Sequence, residues 1–598
     1  MASIELPSIR SRGVVDEETL TELNTQDGSV DLKGKPILRS KRGGWKACSF
    51  IVVYEVLERF AYYGISSNLI LYLTKKLHQG TVTSANNVTN WAGTVWFTPI
   101  IGAYVADAHL GRYWTFLIAS LIHVTGMCLL TISVSVKGLK PPSCQEANVA
   151  DCKQPSTLQL GMFFTALYIF AIGTGGIKAN ITVIGADQFD EFYPKEKLQK
   201  FSFFNWWMFT IFVGALMANT FLVYIQDNVG WSLGYGIPTI GLVVAVLIFL
   251  AGTPYYRHKL PMGSPFTTMI KVIFSALSKW RVPLPSDSQE LYELDSEEYT
   301  KKRKFRIDST STLRLLNKAA IKTGSTSTWM LSPITQVEET KQMLCMFPIM
   351  IANILPSTML AQINTLFVKQ GTTLDRGLGN FQIPPASLAG FVTISMLLSV
   401  IVYDRLFVPV MRRWTKNPRG VTLLQRMGLG LFLHIVVMVV ASLTEKRRLS
   451  VARQHGLVQN GGIIPLSIFN LLPQFILMGV ADAVLEVVRI EFFYDQAPES
   501  MKSLGTSYYM TSLGVGNFVS SFLLKTVANI TQRNHRKGWI LNNLNDSHLD
   551  YYYAFFAILN ALNFIFFLVV AKFYVYKAEI SDSMEVLKED LVNDKQEI

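Results

Sequence analysis

The chain has 598 residues, of which 50% are apolar and 16% are charged, and its mean hydropathy is +0.28. These values predict several membrane spans and exclude a single soluble globule. The formal charge of +12 is explained by basic loops facing an anionic membrane leaflet, so we expect a lipid bilayer as partner and no nucleic acid.

The first 44 residues are polar and charged without a sustained apolar period, and we expect them to form a disordered cytosolic tail, 1–44. Six Lys and Arg residues lie between Lys33 and Lys46, directly before the first apolar run. No small-residue cleavage site follows that run. The pattern therefore indicates a cytosolic N-terminus and not a removable signal peptide.

Apolar runs long enough to cross a bilayer follow in two sets of six. The first bundle is predicted over 45–252, with spans near 47–73, 86–106, 113–135, 159–183, 204–225 and 231–252. The second is predicted over 338–577, with spans near 338–368, 381–403, 421–443, 466–490, 504–528 and 551–575. This plan indicates an all-α polytopic membrane protein with a major-facilitator fold, twelve transmembrane helices in two six-helix halves, and a site at the midplane between them.

The connecting segments fit this orientation with one exception. Residues 253–337, predicted as a cytosolic central loop, carry thirteen Lys and Arg against seven Asp and Glu, and a second cytosolic tail is expected over 578–598. Residues 266–280 are interpreted either as an amphipathic helix on the membrane surface or as a solvated linker helix. The exception is the loop expected outside the cytosol over 444–463, because it holds Lys446, Arg447, Arg448 and Arg453.

Three ionisable side chains, Glu55, Glu58 and Arg59, lie inside the first apolar run. Helical spacing places Glu55 one turn from the other two, so they share one face and leave the lipid face apolar. A carboxylate in a cavity of low dielectric beside a cation can change its protonation near physiological pH. We interpret the cluster as a proton-coupling site; the alternative is an ion pair that only joins helices.

Cys144 and Cys152 lie in one loop on the predicted extracytosolic side and form a candidate disulfide. Cys48, Cys128 and Cys345 lie in or beside apolar spans and are interpreted as small core residues. The eight histidines lack metal-ligand spacing, and the sequence has no nucleophile elbow or phosphate-binding glycine loop. We therefore expect no metal, no cofactor and no enzymatic activity.

Four longer motifs carry a family resemblance: EVLERFAYYG over 55–64, GTGGIKAN over 173–180, GADQFD over 185–190 and EFFYDQAP over 491–498. Together they resemble the proton-coupled oligopeptide transporter family, in its plant nitrate and peptide transporter branch (NRT1/PTR). The resemblance covers roughly residues 30–577. It implies alternating access driven by a proton gradient.

The resemblance also implies roles for residues of the central cavity. The family's fourth-helix lysine, here Lys178, pairs with a tenth-helix acid, and alignment of the segment that ends in EFFY places Asp482 where the family has glutamate. Glu486 and Arg489 are additional charges on the same helical face. Tyr62 and Tyr63 either line the pocket with hydroxyl donors or belong to a packed helix face. The candidate substrate-binding residues are therefore Lys178, Asp482, Glu486, Arg489, Tyr62 and Tyr63.

The short motif DAHLGR over 107–112 resembles a loop shared by the wider facilitator superfamily. It suggests that Asp107 and Arg112 form a latch that holds the two halves together and is released when they rock. Thr115 follows this loop and is a candidate phosphorylation site, because similar positions are phosphorylated in part of the family. The alternative for Thr115 is an ordinary threonine at a helix start.

Three positions depart from the family pattern: Ala179 replaces a proline, Phe212 an asparagine, and Leu360 the histidine of relatives that bind nitrate. The cavity charges mix both signs, which favours a solute with both an acid and an amine. The resemblance thus implies a proton-coupled symporter of small nitrogenous solutes, with di- or tripeptides slightly ahead of nitrate. The alternatives are a transporter of a plant hormone or specialised metabolite and a solute sensor that transports nothing.

We expect a small-molecule substrate and protons as partners, and a monomer or weak homodimer in the plasma membrane or the vacuolar membrane. Both termini are predicted to be cytosolic.

Overall fold

The computed structural model describes residues 25, 27–142, 144, 152–190, 192–261, 263–285, 290–295, 306–323, 327, 329–416, 420–459, 461–533 and 537–576. The tail predicted over 578–598 lies outside these residues, as do residues 1–24 of the predicted N-terminal tail. The prediction of disorder was wrong for residues 27–43 of that tail, because Val30 pairs with His258 through two backbone hydrogen bonds and Arg39 lies 3.1 Å from Asp190.

The first half contains long helices at all six predicted span positions. They are α1 (Gly44–Ser66) with its short continuation α2 (Leu69–Lys75), α3 (Thr81–Val105), α4 (Gly111–Ser135), α5 (Thr157–Ala186), α6 (Pro194–Met217) and α7 (Trp231–Gly252). Turns of π-helix extend or join them at Ala106–Leu110, Ala218–Leu222 and Ile225–Val229. Short 3₁₀ turns lie at Lys137–Leu139 and Thr253–Tyr255.

One short helix, α8 (Pro265–Ser278), lies between the halves and precedes a 3₁₀ turn at Arg314–Ala320. The second half contains α9 (Ile334–Ala352), α10 (Ile354–Ile363), α11 (Leu366–Gly371), α12 (Ala389–Val402), α13 (Val408–Thr415), α14 (Leu423–Gln454), α15 (Leu472–Gln496), α16 (Lys502–Thr531) and α17 (Leu549–Phe573). Its remaining turns are at Pro385–Leu388, Tyr403–Phe407, Ile468–Leu471 and Glu499–Met501.

Four short strands lie in the connections of the second half. The strand β1 (Leu374–Asp375) pairs in parallel with β4 (Ile464–Ser467), and β2 (Gly377–Leu378) pairs antiparallel with β3 (Phe381–Gln382).

Local sequence sets the start of two long helices. Ser156 with Gln159, and Thr422 with Gln425, form capping boxes before α5 and α14.

Within the described residues, nine helical stretches are long and apolar enough to cross a membrane. A tenth is the pair of α9 with α10 and α11, which bends by 44°. The nine treat α3 and α4 as one continuous stretch and leave out α1, which carries the three ionisable residues. Helices therefore lie at all twelve predicted positions, although not every one meets the length and hydropathy requirement alone.

The break between α1 and α2 lies against the π-helical turns that follow α6. The Ser67 hydroxyl donates to Asn219 Oδ1 at 2.6 Å, and the Asn68 amide donates to Gln226 Oε1 at 3.0 Å. Interrupted helices are tolerated at membrane depth where neighbouring protein groups supply the hydrogen bonds.

The predicted loop over 444–463 was wrong for residues 444–454, because α14 continues to Gln454. Arg448 is fully buried and donates to both oxygens of Glu445, at 2.7 Å each. Its remaining bonds go to Thr373, Asn545 and the Leu544 carbonyl. One of the four basic residues that conflicted with the expected orientation is therefore part of an internal ion pair and not a loop charge.

The two faces of the bundle differ in how the halves meet. We call the face that carries 253–333 the central-loop face, and the other the opposite face. The helices α3 and α16 pack against each other and join the two halves. Further contacts between the halves at the opposite face are Thr81 N–H to Asn542 Oδ1 (2.9 Å), Ser521 Oγ to Asn86 Oδ1 (3.1 Å), Arg376 to Asp227 (3.7 Å) and the stacked rings of Tyr224 and Phe381 (5.2 Å). The halves are thus tied together at the opposite face, and at the central-loop face Asp107 of the first half bonds to Ser503 of the second.

The connecting segment at the central-loop face packs on the start of the second half. Val272 and Ala276 of α8 are buried in a cluster with Ala319 and Val337. The other side of α8 exposes Ile270, Phe274 and Leu277. The helix predicted over 266–280 therefore exists as α8, with one face packed on protein and apolar residues exposed on another.

The five cysteines divide as their positions suggested. A disulfide joins Cys144 to Cys152 in the connection between α4 and α5. Cys48 is buried in α1, and Cys128 and Cys345 are half-buried in α4 and α9.

We predict that Arg448→Ala lowers the free energy of unfolding by about 3 to 5 kcal/mol, because it leaves the buried Glu445 carboxylate without its cation. Thermal unfolding of the purified protein in detergent measures the effect. Arg447→Ala, at an exposed neighbouring position, is the matched control and should leave the melting temperature unchanged. Equal melting temperatures for the two variants would show that the ion pair adds nothing to stability.

Candidate functional site

The charged cluster of α1 forms one compact, buried group. Arg59 Nε lies 2.7 Å from Glu55 Oε1 and 2.9 Å from Glu58 Oε2. Both glutamates are fully buried, and Arg59 is only 7% exposed. Gly214 lets α6 lie close to α1 here, because a Cβ on Gly214 would sit 2.7 Å from the Cβ of Arg59. The three residues predicted as the proton-coupling site are therefore brought together.

This cluster holds two carboxylates against one guanidinium. Glu55 Oε2 and both oxygens of Glu58 are buried and accept no hydrogen bond from any described residue. A carboxylate in a low-dielectric interior favours the neutral, protonated form unless cations compensate its charge. The arrangement can therefore take up a proton on one of its acids.

Lys178 lies on α5 and is 7% exposed. Its Nζ atom is 3.8 Å from the ring centroid of Trp96 and 4.1 Å from that of Tyr62. Nζ has no hydrogen-bond partner among the described residues. The ammonium is thus held by two aromatic faces, a weaker stabilisation than an ion pair, and stays available to an anion.

The two tyrosines after the charged cluster lie in different surroundings. Tyr62 is buried, stacks on Trp91 at 5.9 Å and lies beneath the Lys178 ammonium. Tyr63 is half-buried and meets the Tyr62 ring edge-on at 5.2 Å. Tyr62 therefore presents its ring face to Lys178. The sequence did not single out Trp96, which is one aromatic residue among many in apolar helices.

Asp482 does not pair with Lys178 in this conformation. Its Oδ1 atom lies 3.3 Å from Nε2 of His434 on α14, and both side chains are buried. The sequence analysis did not single out His434, because a lone histidine in an apolar helix carries no spacing signal. The acid expected to face Lys178 is thus held inside the second half.

Glu486 and Arg489 form an ion pair with each other, one turn apart on α15. Arg489 is fully buried and also donates to the Asn353 carbonyl, to Ser357 Oγ and to Ser512 Oγ. Asn353 is the residue between α9 and α10, where the seventh span bends. Arg489 therefore fastens α15 to this bend and to α16, which is the structural alternative to substrate binding.

The residues of the predicted latch lie at the central-loop face. Arg112 Nη1 is 2.5 Å from Asp187 Oδ2, whereas Arg112 Nε is 3.9 Å from Asp107 Oδ1. All three residues belong to the first half. Thr115 is buried, and its hydroxyl donates to the Gly111 carbonyl at 2.9 Å. In this conformation Arg112 braces helix ends within the first half, whereas the Asp107 carboxylate accepts a hydrogen bond from Ser503 at the start of α16 in the second half. The Thr115 hydroxyl faces its own helix.

Two six-helix halves around buried charges define a multi-pass membrane transporter. The chain matches the PTR2 model, described as the POT family, over residues 113–540. The chain therefore belongs to the POT family, as its motifs predicted.

Its relatives include plant proteins of similar length. It is 64% identical to Protein NRT1/PTR FAMILY 5.2 of Arabidopsis thaliana over 564 residues, which are 94% of this chain and 97% of that protein. It is 63% identical to Protein NRT1/PTR FAMILY 5.3 of the same plant over 94% of this chain and 96% of the other. The predicted plant nitrate and peptide transporter branch is confirmed.

Two solved structures have the same fold. One is an auto-inhibited POT family peptide transporter, with a TM-score of 0.65 and 20% identity over 90% of this chain and 99% of that chain. The other is the POT family transporter PepTSo, with a TM-score of 0.65 and 21% identity over 88% and 98% of the two chains. These likenesses confirm the predicted fold class.

We predict that Lys178→Met abolishes transport while raising the free energy of unfolding by about 1 to 3 kcal/mol, because it removes a buried ammonium without an ion-pair partner. Uptake into proteoliposomes and thermal unfolding in detergent give the two readouts. Lys525→Met, at an exposed lysine of α16, should change neither by a comparable amount. Loss of stability in Lys178→Met would instead indicate a structural ion pair.

Proposed function

We propose that the protein is a proton-coupled symporter that moves small nitrogenous solutes by alternating access. The observation that carries the proposal is the Lys178 ammonium, which is buried, has no hydrogen-bond partner among the described residues and lies within electrostatic reach of Glu55 and Glu58. A buried ammonium without a hydrogen-bond partner destabilises the folded protein unless a ligand binds to it. A solved structure of similar fold is that of a POT family peptide transporter, which agrees with this proposal.

The acid cluster of α1 supplies the coupling. When a proton neutralises Glu55 or Glu58, the remaining carboxylate and Arg59 form a balanced pair, and Lys178 is released from its attraction to the second acid. A substrate anion can then bind the ammonium. Proton and solute thus stabilise the same state of the cavity, which is the requirement for symport.

We infer that the solute carries a carboxylate, and that di- and tripeptides are favoured over nitrate. Lys178 is suited to the carboxylate, and Glu58 Oε1, the oxygen that does not face Arg59, is suited to an amine. Glu486 and Arg489 contribute little to this choice, because they satisfy each other. Nitrate would use Lys178 alone, so the preference rests on the first-half charges.

The orientation proposed for the membrane follows from the basic segments. Residues 253–337 carry an excess of positive charge, which supports a cytosolic central-loop face.

Uptake by proteoliposomes tests the proposed function. With an acidic exterior, we expect a labelled dipeptide to accumulate and to exchange with unlabelled dipeptide, and we expect little accumulation without the pH gradient. Labelled nitrate, tested in parallel, should move more slowly. If nitrate moves while dipeptides neither move nor compete, the substrate order is reversed; if neither moves or exchanges, symport of these solutes is refuted.

We expect Glu58→Gln to remove the proton dependence of uptake, because the amide keeps the shape of the side chain but does not titrate. Uptake at acidic external pH should fall to the level seen without a gradient, while exchange at equal pH persists. Asp404→Asn, with a side chain that is 74% exposed, is the control. Full pH dependence in Glu58→Gln would rule out this residue as the proton acceptor.

A further inference from the structure

The contact between His434 and Asp482 contains a constraint on protons. His434 Nδ1 lies 2.9 Å from the Gly430 carbonyl, one helical turn earlier on α14. A carbonyl only accepts hydrogen bonds, so Nδ1 carries a hydrogen. In a neutral imidazole the other nitrogen, Nε2, is then an acceptor. That nitrogen faces Asp482 Oδ1 at 3.3 Å.

Two hydrogen-bond acceptors do not attract each other at this distance. An ionised carboxylate would repel the Nε2 lone pair, whereas one shared proton makes the contact favourable. The proton is either on Asp482, which then donates to a neutral ring, or on Nε2, which gives an imidazolium and carboxylate pair. Nε2 and Oδ1 are buried, and neither has a hydrogen bond to any other described residue. At 3.3 Å the contact is longer than a usual N–H···O hydrogen bond, so the proton is held in a loose pair.

The other ionisable groups near His434 and Asp482 do not supply a positive charge that would take the place of the shared proton. Glu486 and Arg489 on α15 interact with Asp482, but they satisfy each other. Arg426, nearer the start of α14, lies over the Tyr403 ring and near Glu491. Tyr63 on α1 is the ionisable group that reaches Asp482 from the first half. The neighbouring helices α12 and α10 contain no ionisable residue, and in α17 Asp550, three tyrosines and Lys572 lie near the ends.

We propose that His434 is a positioning residue that holds Asp482 in a proton-sharing pair and so withholds it from Lys178. When the proton leaves through the central cavity, the pair is no longer favourable, and Asp482 becomes a free carboxylate that is able to cross to the Lys178 ammonium. The released proton leaves one negative charge on Asp482, and the positive charge of Lys178 compensates it. This inference rests on the proposed symport, and it adds a second proton-dependent step in the second half of the protein.

The first test is the pH profile of exchange at equal pH on both sides of the membrane, with a labelled dipeptide. His434→Gln keeps a donor toward Asp482 but cannot share a proton. Because the proton is then held less firmly, we expect the midpoint of the profile to move toward acid by about one pH unit or more. His455→Gln, at the exposed residue that directly follows α14 and has the same bond to the carbonyl four residues back, should keep the wild-type midpoint. An unchanged midpoint in His434→Gln overturns the proposal.

The second test does not require transport and separates failure of this inference from failure of the proposed function. In purified wild-type protein at neutral pH, ¹⁵N NMR of labelled histidine reports whether Nε2 of His434 carries a proton, with His434→Gln assigning the signal. Infrared difference spectra against Asp482→Asn report whether Asp482 is a carboxylic acid. We expect one of the two groups to carry the proton. A neutral His434 with bare Nε2 beside an ionised Asp482 would refute the pair, even in a protein that transports.

Discussion

Charge buried at membrane depth has to be compensated inside the protein, because lipid offers no hydrogen bonds and little dielectric screening. Arg448 and Arg489 meet this requirement fully, each with a glutamate one turn away and further bonds to neighbouring helices. Lys178 does not, since its ammonium rests on two aromatic rings. The difference distinguishes Arg448 and Arg489, which join helices, from Lys178, which we propose is available to a ligand.

The same requirement explains how the two halves are related. In the first half, two buried carboxylates share one guanidinium, so the cluster is balanced only with a proton or a second cation. In the second half, Asp482 is held by His434. We propose that each half thus contains an acid whose charge depends on a proton. Lys178, on the first-half helix α5, is the cation that either acid can attract. Protonation and the pairing of Lys178 are therefore linked in the account proposed here.

Much of the fold was predictable because long apolar runs leave few alternatives at membrane depth. The end of α14 was not predictable, because in the sequence Arg448 resembles a charged loop residue. Only the folded structure shows its bonds to Glu445, Thr373 and Asn545. The bend at Asn353 also depends on a distant side chain, Arg489.

In the site, helical spacing was enough to group Glu55, Glu58 and Arg59, and the motif around Lys178 located the cation. Trp96 and His434 were missed, because single aromatic or histidine residues in apolar helices have no periodic signal and acquire a role only from tertiary neighbours. The partner of Asp482 was likewise beyond sequence reasoning, since the choice between Lys178 and His434 depends on the conformation of the halves.

In the symport proposed here, Asp482 pairs with Lys178 only after Asp482 has lost its proton. A double-mutant cycle of Lys178→Met and Asp482→Asn on thermal stability measures the coupling between these side chains directly. We predict a coupling energy of about 1 kcal/mol or more at alkaline pH that disappears at acidic pH. A coupling energy that is absent at every pH, or equal at acidic and alkaline pH, would show that no proton controls the pairing of Asp482 with Lys178.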